Sequence, residues 1–80
     1  MSEILSALNL VFCEVFEDET LNITRQTSAS DIEGWDSLTH VTLVLHVEKA
    51  FGVRFSSSEV SALRNAGDLE ALVAARAETR

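Results

Sequence analysis

Apolar residues recur at three- and four-residue steps through Ile4, Leu5, Leu8, Val11, Phe12 and Val15, the spacing of one buried stripe on an α-helix. A chain that opens this way must supply a second apolar face to cover the stripe. The expected helix runs from Ser2 or Glu3 to Phe16, with Ser2 as its cap and Glu3 favoured at its positive end. Glu17, Asp18 and Glu19 would oppose the negative end of any extension, which predicts termination near residue 16.

Residues 17 to 36 carry no sustained helical period and concentrate Thr, Ser, Asp, Asn and Gly. So long a connection in a small domain needs either a function or anchoring. Leu21, Ile23 and Ile32 are the expected anchors, their burial offsetting part of the ordering entropy. Trp35 either covers the junction with the next helix or stands partly exposed on a binding face.

The next helix is predicted from Ser37 to Ala50 or Phe51, with Asp36 at its N-cap accepting from otherwise unpaired amides. It carries two apolar rows. Leu43, Val44, Val47 and Phe51 form one, expected to pack inward; Leu38, Val41 and Leu45 form another at i, i+3 and i+7. A helix apolar on two sides is either deeply buried or presents one face to partners. Gly52 can close it in left-handed geometry, and Val53 and Phe55 then point inward from a short extended connection.

Ser56 or Ser57 can cap a short third helix through Val60 to about Leu63, with Glu59 in its first turn. Asn65, with Asp68 three positions on, approximates a capping box for a last helix over about Ala66 to Ala77. There Leu69, Leu72 and Val73 form the inward stripe, flanked by Ala66 and Ala77, while Arg76 and Arg80 suit the negative end. These elements predict an all-α fold: a small four-helix bundle with three longer helices, one short third helix and a long first loop.

Eighty residues, 46% of them apolar, fit one domain over residues 1–80 with one small core. Cys13 is the single cysteine, so no internal disulfide forms, and it reads as a small packed residue. No basic leader with a following apolar stretch opens the chain, and no apolar run reaches membrane-spanning length. The expectation is a soluble, cytoplasmic, discrete protein.

The formal charge of -7 is uneven: residues 1 to 48 hold nine acids and one base, residues 49 to 80 four acids and five bases. The front of the chain would repel a nucleic-acid backbone and attract basic protein surfaces.

The segment GWDSLTHVTLVLHVEKAFGVRF resembles the acyl carrier and peptidyl carrier protein family, whose Asp-Ser-Leu serine receives 4'-phosphopantetheine. Agreement extends over nearly the whole chain: the amphipathic first segment, the acidic loop, the serine-headed helix ending in Glu48-Lys49-Ala50-Phe51-Gly52, and the Asn65-Ala66-Gly67-Asp68-Leu69 start. Many relatives carry a proline and several acids in the third helix. This chain has no proline and offers Ser56, Ser57, Ser58 and Ser61 there.

The resemblance implies covalent 4'-phosphopantetheine on Ser37, with Asp36 serving as cap and as a recognition element for a phosphopantetheinyl transferase. It also implies that Leu38, Val41 and Leu45 form a docking row, with Thr42 and Glu48 as adjacent polar or ionic contacts. The implied partners are the transferase and enzymes that load, condense, modify or transfer acyl or aminoacyl groups, bearing basic docking patches; the protein would act as a monomer. Fatty-acid, polyketide and nonribosomal-peptide cargo stay open.

Catalysis by Ser37 has little support, although Asp36 and His40 stand near it. A hydrolase needs an oriented base, an oxyanion site and a pocket, and the Gly-x-Ser-x-Gly elbow is absent. His40 and His46 do not stack on one helical face and no metal-ligand cluster accompanies them, so both read as surface or partner-facing residues. A helical adaptor that is never pantetheinylated is the alternative function, and regulatory phosphorylation of Ser37 a further one.

Overall fold

A computed structural model describes residues 3–78. Four helices follow one another: α1 (Glu3–Val15), α2 (Ser37–Phe51), α3 (Ser57–Ala62) and α4 (Ala66–Glu78). The expected bundle of three longer helices and one short one is what forms. An isolated antiparallel bridge joins Ser28 to Asn65, and no sheet occurs among the described residues. Ser2, Arg80 and the side chain of Ala77, named above, lie outside the description.

Helix α1 is the centre of the bundle and packs against both α2 and α4. Its stripe buries Leu5, Leu8, Val11 and Phe12, with Ile4 and Val15 packed at the margin. Opposing it are Leu43 and Val47 from α2 and Ala66, Leu69 and Val73 from α4. The end of α1 is a Schellman turn: Asp18 N–H reaches the Cys13 carbonyl at 3.0 Å and Glu17 N–H the Glu14 carbonyl at 3.4 Å. Glu17 occupies the left-handed position, φ 52°, which normally falls to glycine.

The long loop is anchored by apolar and polar means together. Ile23 and Ile32 are buried and Leu21 packs against the core; each full burial contributes about 1.5–3 kcal/mol, offsetting the entropy of ordering the segment. Asn9 on α1 clamps the same stretch, its Nδ2 donating to the Leu21 carbonyl at 3.1 Å and its Oδ1 accepting from Ile23 N–H at 2.7 Å.

Farther along, the loop fastens to the start of α4. Ala66 N–H donates to the Thr27 carbonyl at 2.8 Å and Gly67 N–H to that of Arg25 at 2.9 Å. Arg25 grips Glu70 with two bonds of 2.6 and 3.2 Å, and Glu70 is buried at 8% exposure. The approach explains Gly67: a β-carbon there would stand 2.8 Å from the Arg25 carbonyl oxygen. Gly67→Ala is therefore expected to lower stability by about 1–2 kcal/mol despite alanine's higher helix propensity. Chemical denaturation checks this, and a stabilised variant would show that the loop yields.

Two local expectations are refined. Ser56 rather than Ser57 caps α3, in a reciprocal box with Glu59. At α4, Asn65 Oδ1 accepts from Asp68 N–H at 2.8 Å as predicted, but the Asp68 carboxylate reaches Arg64 N–H at 3.0 Å, one residue before the box position. Arg76 also does more than face a helix end: its guanidinium donates to the Arg54 carbonyl at 3.0 Å and pairs with Glu59 on α3.

Candidate functional site

Ser37 opens α2, and the chain around it is held by hydrogen bonds that its neighbours make among themselves. Asp36, extended at φ -126° and ψ -170°, accepts at Oδ1 from the amides of Leu38 and Thr39, each at 3.0 Å. Thr39 completes a capping box, its Oγ1 accepting from Asp36 N–H at 2.8 Å and donating to the Gly34 carbonyl at 2.7 Å. Asp36 is the cap expected from the sequence; Thr39 was not expected, although its position three residues after the cap is the signal of a capping box.

The bond from Thr39 N–H holds the Asp36 carboxyl below the usual carboxylate range, with Leu38 N–H contributing. A depressed folded-state pKa means the cap contributes fully above the unfolded carboxylate range and is lost as pH falls through its folded value. Asp36→Asn is expected to flatten the stability-against-pH curve in that acid window, measured by thermal melts. An unchanged curve would remove the cap as a source of acid sensitivity.

With Asp36 occupying the Leu38 and Thr39 amides, an anion on Ser37 would feel the end of the helix as a local field rather than as a pair of free donors. Ser37 itself is exposed. Its hydroxyl opens beside a cleft of about 300 Å³ bounded by Ala29, Trp35, His40, Ser61 and Leu63. An exposed hydroxyl on a rigid helix start, with open space beside it, fits an attached arm and leaves it free to move.

Trp35 is buried and covers the loop-to-helix junction. Its ring meets Phe12 edge-on at 5.4 Å and Phe16 at 6.1 Å, so the residue before Asp36 is anchored in the α1 core. Its indole N–H donates to His40 Nδ1 at 3.1 Å, and His40 Nε2 lies 3.0 Å from the Val60 carbonyl. His40 is thus half-buried and engaged on both nitrogens, not a surface histidine. The lone pair that a general base would use already accepts from Trp35.

The two apolar rows of α2 separate cleanly. Leu43, Val44 and Val47 are buried, whereas Leu38, Val41 and Leu45 are 76%, 51% and 58% exposed. Ser37 therefore stands at one end of an exposed aliphatic row. Thr42 and His46 are exposed beside it, His46 Nδ1 bonding back to the Thr42 carbonyl at 2.9 Å. Glu48 differs: it is half-buried, and Oε2 accepts from Phe55 N–H at 2.8 Å, a contact that fastens the connection after α2.

Among the described residues no group of three or more His, Cys, Asp and Glu side chains is arranged to hold a metal, and no helix is long and apolar enough to cross a membrane. Residues 6–73 match a family model described as a phosphopantetheine attachment site. Among solved structures, the chain is similar to a holo acyl carrier protein from Geobacter metallireducens determined by solution NMR. The two are 38% identical with a TM-score of 0.91, over 98% of this chain and 90% of that one.

Proposed function

This chain belongs to the phosphopantetheine-attachment family of carrier proteins, and on that premise we propose that Ser37 bears the arm and that the α2 outer row presents it to partner enzymes. The protein is a non-catalytic carrier with a covalently attached phosphopantetheine, which displaces the adaptor reading. The arm supplies the thiol on which cargo is held as a thioester, together with its reach. The chain's own residues supply position and recognition.

The observation that carries the assignment is the exposed Ser37 at the capped start of α2, continuous with exposed Leu38, Val41 and Leu45. Asp36 fixes the helix start and offers a carboxylate to the transferase. Leu38, Val41, Leu45 and Thr42 form the docking face. Glu48, committed to Phe55 through one oxygen, contributes at most its other oxygen at the rim. Acyl groups are the proposed cargo, by likeness to the acyl carrier protein above. The acidic front of the sequence suits partners with basic docking patches, and the proposed working form is a cytoplasmic monomer of one carrier domain.

Loading by an acyl-transferring partner, followed by neutral hydroxylamine, tests the thioester. Cargo should be released while the arm stays on the protein; cargo resistant to hydroxylamine would contradict thioester carriage. Leu45→Asp tests the docking face. With its side chain 58% exposed, the variant should keep its melting transition within about 0.5 kcal/mol while transfer to the partner falls about tenfold or more, as for a contact residue worth over 1 kcal/mol. An equal loss of stability and transfer would move Leu45 into the core.

A further inference from the structure

Two side chains fasten the turn that presents Ser37, and they pull in opposite directions along the chain. Asp36 ties forward into α2, its Oδ1 accepting from the amides of Leu38 and Thr39. Thr39 ties backward out of the helix. Its hydroxyl accepts from Asp36 N–H at 2.8 Å and gives its one proton to the Gly34 carbonyl at 2.7 Å. A glutamate, a usual third residue of such a box, could accept from that amide but has no hydrogen to give a carbonyl.

The backward tie falls where packing is thin. Trp35 is held by its ring against Phe12 and Phe16, and Leu43 is the first residue of α2 buried in the core. Gly34 stands at φ 91°, and the space that a β-carbon there would fill is open. Glycine has wide conformational freedom, so the bond from Thr39 fixes its carbonyl where no side chain does.

We propose that Thr39 is a positioning residue for attachment of the arm: its hydroxyl locks the Gly34–Asp36 turn, so that Ser37 meets the transferase already oriented. This role rests on the attachment to Ser37 proposed above. The contacts made to the Asp36 carboxylate within the turn end on Oδ1, and the locked turn turns Oδ2 toward the same partner. In loading, Ser37 Oγ bonds to the phosphorus that carries the pantetheine of coenzyme A. The bond from that phosphorus to the adenosine phosphate breaks, and the serine proton passes to the transferase. Thr39 touches none of these atoms.

An unlocked turn lowers the fraction of free carrier that presents Ser37 correctly. The carrier concentration needed for loading then rises in inverse proportion, while turnover of the bound complex stays the same. A hydroxyl that served only stability would lower the melting transition and leave loading of the folded chain unchanged.

Loading of the full, unmodified chain by a broadly acting transferase with coenzyme A and magnesium is followed by mass against carrier concentration, below the melting transition of each variant. Thr39→Val, which keeps the shape and removes the hydroxyl, should raise KM about threefold or more at unchanged kcat, the worth of one hydrogen bond. Thr39→Ser should restore the native KM. Val73→Ala weakens the buried core on α4 without touching the turn, and should melt earlier yet load at the native KM. On the native chain, the Asp36 amide should be protected from exchange by its bond to Thr39. An unprotected Asp36 amide, a native KM in Thr39→Val, a fall in kcat with KM unchanged, or an equal rise in Val73→Ala would overturn the proposal. Each of those results leaves native Ser37 loaded, whereas a native chain with no arm on Ser37 would overturn the attachment and this role together.

Discussion

Ser37→Ala is expected to remove covalent loading completely while leaving the protein folded. Ser37 occupies the first position of α2 and is exposed, and the bonds that build this turn run between Asp36, Thr39 and Gly34. Deleting its hydroxyl leaves those contacts in place, and alanine is the best helix former. Melting should shift by no more than about 0.5 kcal/mol, the usual range for surface changes. Intact mass after exposure to a transferase and coenzyme A should show no added arm. Loading that survived the substitution would move the attachment to another hydroxyl; a collapsed melting transition would give Ser37 a structural part that its surroundings do not indicate.

Phe12→Ala should have the largest effect on stability. Phe12 is fully buried on α1 and is the largest of the completely enclosed side chains; it touches Phe16 at 6.0 Å and Trp35 at 5.4 Å between ring centroids. Truncation of a buried phenylalanine costs about 3–5 kcal/mol, a large share of the roughly 5–15 kcal/mol that holds a typical domain. The loss also undercuts Trp35, so the turn before Ser37 should loosen and Trp35 fluorescence should become solvent-like. Leu10→Ala is the control: Leu10 is on the same helix but 70% exposed, and its replacement should cost about 0.5 kcal/mol or less. Urea unfolding of the two variants separates them; equal midpoints would contradict the packing described.

The features legible in the sequence are those written in local spacing. The α1 stripe, the Asp36 and Ser56 caps, and Gly52 at φ 65° closing α2 each depend on residues within a turn or two, where helix periodicity and capping chemistry act. The contacts that periodicity does not encode join distant parts of the chain. Arg25 meets Glu70 at a separation of 45 residues, Ile23 meets Asn9 at 14, and Val60 meets His40 at 20. Nothing about an isolated Arg, Asn or His announces a partner so far away.

The exposed row of α2 marks a middle case. The sequence shows two apolar faces, and the choice between them is made by where α1 approaches, a property of the assembled bundle. Leu43 and Val47 went inward and Leu38, Val41 and Leu45 outward. His40 differs from its expected surface or partner-facing place for a related reason: its spacing from His46 and the lack of a ligand cluster say nothing of long-range packing, and the loop returns Trp35 to one side of it while α3 covers the other.

Carriage of the arm on Ser37 is tested most directly by intact-protein and peptide mass spectrometry after incubation with coenzyme A, magnesium and a broadly acting phosphopantetheinyl transferase, with Ser37→Ala alongside. One phosphopantetheine increment is expected, mapped to the peptide containing Ser37 and absent from the variant. An increment on a different residue, or none on a folded chain in the presence of a transferase that modifies a control carrier and of this chain's own cognate transferase, would contradict it.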